Sequence, residues 1–242
     1  AHSIRDQQDI KRIQEETKPK FAFNLHDQST RYTAGNSYKV ATISFLAPAY
    51  NYEKEINEVR RNAMKLISQL TDNLDDFIPG HIAKYNDDYE PRAFGDNFMK
   101  WGSSLILIES GGWKNNYEKS FVRKLNFIAL VTGFESIANL GYENYSTSVY
   151  ENIPENEKLL FDLLLRNIEI ERNDQKFIVD IGINHNEIST KDKRNFYFKG
   201  EIDDVGDLST FYGFDEIDCS GMTIDTANIY PESFMDFQSL EK

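Results

Sequence analysis

The chain of 242 residues holds one cysteine, Cys219, so no internal disulfide can form and neither an oxidising nor a reducing compartment is demanded. Cations are in deficit: 27 Lys and Arg stand against 40 Asp and Glu, a formal charge of −13 that repels nucleic acid and anionic lipid. No apolar run approaches the roughly 20 residues that a membrane span needs, which excludes insertion as a helix. The first residues show no signal-peptide pattern. Internal repeats, low-complexity tracts, glycine-rich phosphate loops, paired-cysteine metal spacings and a Ser-His-Asp arrangement are missing too. Histidine is rare, at four residues, which makes the position of each one informative.

What is present is a globular chain, 40% hydrophobic, with enough length for one large or two modest domains. A mostly polar helix before Pro19 leads into a strand over KFAFNL, and ATISFLAP at 41–48 reads as a second strand. Ile56, Val59, Ala63, Leu66, Ile67, Leu70 and Leu74 then share one helical face, with Asn51 placed to cap it. After the Pro79-Gly80 turn, a short helical piece over 96–101 precedes SLILIES, whose near-continuous apolar run suits a central parallel strand. Asn115 and Glu118 are spaced as a capping box for a second long helix running toward Leu140. The order strand, strand, helix, strand, helix predicts an α/β fold with a mixed sheet covered by helices.

Tyr, Asn, Ser and Thr dominate residues 141–148, which places a boundary at 143 and divides the chain into domains 1–143 and 144–242. Beyond the boundary ENEKLLFDLLLRN reads as one leading helix. Period-two alternation in IEIERNDQKFIVDIGI, RNFYFKGEI and FYGFDEIDC then predicts a small β-rich domain.

Two residues carry the chemistry. His26 and Asp27 close the first strand in FAFNLHDQST, and Glu109 closes another in LILIESGGW, where a carboxylate after four apolar residues must be solvated or used. In open α/β sheets ligands bind beyond the carboxyl ends of strands, so both could line one crevice. Each has a plain alternative: a hydrogen-bonded strand-end histidine for the first, a helix cap or lysine partner for the second. His81 and His185 lack ligand spacing and read as surface or turn residues, while EIDDVGD and DEID read as a solvated acidic face.

Taken in order, FNLHDQST, ISFLAPAYNYEKEINEVR, EPRAFGDNF, ILIESGGW and EKSFVRKLNFIAL resemble the C-terminal half of a zinc metallocarboxypeptidase of the carboxypeptidase A type, in its bacterial branch, over roughly residues 1–140. The resemblance implies an α/β fold with a mixed sheet, a single Zn²⁺, and a hydrolase acting on the C-terminal or a related amide bond of a peptide or peptide-like substrate. It makes His26 the last zinc ligand and Glu109 the general base, with Asp27 steadying the centre from behind. Tyr89 falls near the place of the family's mobile tyrosine, with Tyr85 in competition. Arg92 and Phe94 fall where the substrate side chain is held, though a solvated loop arginine is the plainer reading of Arg92. Relatives of this kind are secreted or periplasmic.

The pattern is incomplete. The family's other zinc ligands form a His-x-x-Glu motif and its substrate carboxylate is gripped by an Asn-Arg pair, both upstream of the last histidine. Here His2 is followed by Ser3, Ile4 and Arg5, and no Asn-Arg precedes residue 26. A start at Ala1 without methionine leads to the expectation of a fragment, inactive alone, whose parent supplies the remaining ligands. The alternative is a relative that binds peptides or cell-wall fragments without cutting them, and a third reading is an amidase using the same centre on a non-peptide acyl amide.

Overall fold

The computed structural model describes residues 4–116, 118–172, 175–224, 229–234 and 240–241. The chain forms two compact units, Ala1–Glu157 and Lys158–Lys242. The first contains α1 (Ile4–Thr17), β1 (Phe21–Asp27), β2 (Thr33–Ala34), β3 (Ile43–Leu46), α2 (Glu58–Asp75), β4 (Ile82–Lys84), α3 (Phe94–Lys100), β5 (Ser104–Ser110), α4 (Ser120–Asn139), α5 (Ser148–Asn152) and β6 (Asn156–Glu157). The mixed α/β character expected from the sequence is present.

Four strands form its main sheet in the order β1-β5-β3-β4. β5 is central, as expected, but parallel only to β1; it runs antiparallel to β3, which is parallel to β4. Strand alternation sends Ile106 and Ile108 to one face, where they meet Ile43 and Phe45 from β3 and the buried side of α2, including Leu66, Ile67, Leu70 and Leu74. Leu125 and Ala129 of α4 close the same core.

Two helix starts differ from the sequence expectation. Asn57, not Asn51, caps α2, its Oδ1 accepting from Arg60 N at 2.9 Å. Asn51 instead closes the preceding loop by bonding Glu55 through both its side-chain amide and its carbonyl. The loop is pinned from inside by buried Arg60, which donates to Lys54 O at 2.6 Å and Ala47 O at 3.2 Å and pairs with Asp87 at 2.5 Å. Replacing Asn57 with alanine should cost about 1 kcal/mol in a urea titration, whereas Asn51→Ala should leave α2 in place. At α4 the capping box over Asn115 and Glu118 does not form, because Asn115 (φ 61°) and Lys119 (φ 52°) are both left-handed. Asn116 takes over, its Oδ1 accepting from Phe121 N at 3.0 Å.

The polar stretch 141–148 is not the border between units. Tyr142, Tyr150 and Ile153 are buried in the first core, and Tyr150 N donates to Ser68 Oγ of α2 at 3.1 Å. Tyrosines carry a hydroxyl that looks like loop composition while their rings fill a core. The contact boundary accordingly falls after Glu157.

In the second unit, β7 (Leu160–Arg172), β8 (Gln175–Ser189), β9 (Phe196–Gly206), β10 (Tyr212–Asp218), β11 (Thr223–Ile224) and β12 (Leu240–Glu241) form one sheet in the order β12-β11-β7-β8-β9, with β10 also paired to β7. The expected leading helix over ENEKLLFDLLLRN is therefore wrong; it is β6 and most of β7. Phe161, Leu164, Leu165 and Ile168 sit at helical spacing, yet both sides of the strand are buried at Leu164 and Leu165, and a register shift between Leu165 and Ile168, with Asn167 at φ 59°, supplies the last step. Each side of this strand has its own core. Phe161 and Leu164 join Leu208, while Leu165 and Ile168 join Ile181, Ile183 and Ile202. Among the described residues no helix is long and apolar enough to cross a membrane.

Candidate functional site

The parallel register of β1 and β5 sets His26 directly opposite Glu109, and the antiparallel register of β5 and β3 sets Glu109 opposite Ser44. Residues paired this way project from the same face, with neighbouring strands about 4.8 Å apart. His26, Glu109 and Ser44 thus form one lateral row, on the face opposite the one that carries Ile106 and Ile108. The two residues that the sequence singled out converge because two strands of like direction end together.

Their environments differ. His26 is exposed at the strand end, while Glu109 is only 6% exposed. Burial pushes the Glu109 carboxyl up to about 7, and the nearby charge of Asp27 adds to the rise. Among the described residues no hydrogen bond to the Glu109 carboxylate offsets that burial. A carboxyl held near neutrality is suited to taking and returning a proton at physiological pH.

Gln28, two positions beyond His26, is buried and braces the row. Its Nε2 donates to Ser44 Oγ and to Ala41 O, both at 2.9 Å, and its Oε1 accepts from Asn156 Nδ2 at 3.0 Å. Gly111 leaves room for this brace, since a Cβ there would lie 1.9 Å from Ala41 O and 2.9 Å from Gln28 Nε2. Tyr85 completes the surroundings. Its phenol is raised first by burial and then by the charge of Glu109.

The other sequence candidates stand elsewhere. Tyr89 packs its ring edge-on to Tyr52 at 4.9 Å, and the tyrosine coupled to Glu109 is Tyr85. The Arg92 guanidinium is mostly exposed and grips Glu90 at 2.8 Å, holding that carboxylate down to about 2. Phe94 opens α3 and lines an apolar pocket with Ile10, Ile13, Phe23, Phe98 and Leu105. Asp27 bonds Lys119 Nζ at the start of α4, so it touches the row through its charge alone. His81 is not a surface residue: half-buried, it bonds Val40 O through Nδ1 at 2.8 Å and packs on Trp113 at 4.9 Å, and burial lowers its pKa. Gln28 and Ser44 went unassigned in the sequence, although period-two spacing from His26 points to Gln28; Tyr85 was the competitor to Tyr89.

A catalytic zinc takes three protein ligands and a water. The described residues contain no group of three or more His, Cys, Asp and Glu side chains able to hold a metal. His26 fits one ligand position and Glu109 fits a base beside it, but the described donors alone do not complete a zinc site. Comparison with known protein families, with curated proteins and with solved structures yields no match for this chain.

Proposed function

We propose that this chain carries the His26 and Glu109 portion of a zinc carboxypeptidase-type centre that hydrolyses a peptide or related amide bond, the remaining ligands coming from a segment beyond the chain. The carrying observation is the pairing of an exposed imidazole with a buried carboxyl held at about 7, directly opposite each other on parallel strands. Glu109 would take a proton from the attacking water and return it to the leaving amine, and the Tyr85 phenol feels the charge of the same carboxylate. A bound zinc would contribute charge and a water of lowered pKa.

A second feature supports an added segment. β1 ends the sheet order, and next to that edge α4 presents exposed Phe127, Val131 and Phe134 at helical spacing. Phe134 meets Phe23 of β1 edge-on at 5.4 Å, so strand edge and stripe are continuous, and Leu25 is exposed between them. A helix apolar on both sides is a buried helix. This edge is thus shaped to be covered, on the sheet face that carries Ile106 and Ile108, opposite His26.

Zinc content separates this reading from its rival. The longer parent should bind one zinc per chain and cleave the C-terminal or a related amide bond of a peptide, and His26→Ala should lower zinc affinity by at least tenfold. The isolated chain should show no measurable turnover. Zinc near zero in the reconstituted parent would overturn the hydrolase and leave a cleft that holds peptides or cell-wall fragments uncut. Turnover by the isolated chain that Glu109→Gln abolishes would overturn the need for the added segment.

A further inference from the structure

The second unit carries a feature unrelated to the His26 row. Beyond the buried pair Ile183 and Ile202, strands β8 and β9 continue as a two-stranded ribbon to Ser189 and Phe196. Six residues at about 3.3 Å each carry the tip about 20 Å past that pair. Residues 191–199 are all exposed. The register places Phe196 and Phe198 on one face, with rings edge-on at 5.6 Å, and Tyr197 with Ile188 on the other. Aromatic rings therefore stand on both faces toward the tip, beside Glu187 and Ser189 on the first and Asn186 and Lys199 on the second.

The tip has the opposite charge to the molecule. Lys191, Lys193 and Arg194 stand at the turn with the one carboxylate of Asp192, and the strands below it add Lys199 and Glu187, on a chain of −13. Asp192 is spent inside the turn, accepting from Thr190 Oγ1 at 2.5 Å and from Arg194 N at 3.2 Å. Thr190 N also donates to Asn195 O at 2.9 Å. The turn is thus fixed with Lys191, Lys193 and Arg194 outside it. Charges are screened over about 8 Å at physiological salt, so carboxylates near the Ile183–Ile202 pair, about 20 Å away, act weakly on the cations of the turn.

We propose that this ribbon is a contact arm for an anionic lipid surface. Its charge matches anionic headgroups. Packing against a protein surface would cover one face of the ribbon and leave the other aromatic face in water, whereas the headgroup boundary surrounds both. Aromatic rings settle at that depth, and Lys and Arg stems reach back to the phosphates. Lys199, whose Nζ lies 3.5 Å from the Phe234 ring centre, anchors the base of the arm.

Co-sedimentation of the full chain with vesicles tests this. Binding is expected to vesicles containing a third phosphatidylglycerol, not to pure phosphatidylcholine, and to fall in 0.5 M NaCl. The triple change Lys191→Ala, Lys193→Ala, Arg194→Ala should weaken partition on the order of a hundredfold, each cation contributing about fivefold. Phe196→Ser with Phe198→Ser should weaken it with the cations intact, and unchanged melting temperatures would show that both variants fold. Equal partition of the triple variant, or no binding to anionic vesicles at low salt, overturns the proposal. Tighter binding of a single-stranded oligonucleotide than of vesicles would reassign the arm to nucleic acid, and loss of self-association in the triple variant would reassign it to a second copy.

Discussion

Replacing Glu109 with glutamine is expected to make the chain more stable at pH 8, by on the order of 3 kcal/mol, while leaving its stability at pH 4 nearly unchanged. The folded carboxyl sits at about 7 because burial disfavours its charge and Asp27 repels it, against 4.5 when free. Below the free value Glu109 is neutral in both states and costs nothing. As pH rises from 4.5 toward 7, the unfolded chain loses this proton while the folded chain keeps it, so unfolding becomes easier with each step. Above about 7 both states are ionised and the penalty stays at its full size. Glutamine keeps the shape without the titration and escapes that penalty. Asp96, raised to about 6 mainly by burial, adds a slope of the same sign in both proteins. The difference between wild type and variant therefore isolates Glu109. Urea midpoints at pH 4, 6 and 8 would read it, and parallel curves across that range would remove the case for a buried, proton-ready carboxyl. In a zinc-loaded parent of the kind proposed, the same change should abolish turnover.

A stabilising loss of a charged residue is what a site residue predicts, because function holds a group where folding alone would not. The sequence already showed that tension: a carboxylate placed after four apolar residues in LILIESGGW, and a histidine ending FAFNLHD. Period two and strand direction sufficed to bring them together. Identifying the tyrosine was harder, since Tyr85 and Tyr89 lie in one loop, and of the two only Tyr85, whose N donates to Phe45 O, has a phenol raised by the charge of Glu109.

Elsewhere the sequence misled for local reasons. The cap slipped by six residues at α2, and at α4 the cap position is Lys119 with Asn116 bonding Phe121 N from the loop before it, because several asparagines compete and the winner depends on tertiary partners such as Arg60. The reading of β7 as a helix failed for a deeper cause. A strand buried on both faces loses its alternation, and a bulge at Asn167 then reproduces a spacing of three and four. Periodicity alone cannot separate these two origins. The division at residue 143 failed because tyrosines at 142 and 150 plug the core of the first unit.

Gly111→Ala should destabilise the first unit by about 4 kcal/mol, close to the limit for a single change. The new Cβ would lie 1.9 Å from the Ala41 carbonyl oxygen, which is backbone and cannot rotate away. That carbonyl is held from the other side by Gln28 Nε2 at 2.9 Å, Ala41 N donates to Tyr32 O at 2.7 Å, and Gly111 N donates to Thr42 O at 2.9 Å. Relief requires the chain around residues 41–42 to retreat by more than 1 Å, a figure set by ordinary carbon–oxygen contact distances. The retreat loses these hydrogen bonds together, each costing about 1 kcal/mol, with the strain of overpacking added. It also detaches Gln28 from Ser44, so the row holding Glu109 loosens and the pH dependence described above should flatten in the same variant. Gly95→Ala is the control. Its Cβ would meet Pro48 Cγ at 3.4 Å, an ordinary contact, within helix α3. Alanine favours helix by about 1 kcal/mol over glycine, so that variant should be neutral or slightly more stable. A Gly111→Ala protein that unfolds within 1 kcal/mol of wild type would mean that β3 and β5 are not packed as described, and the placement of Glu109 beside His26 would fall with them.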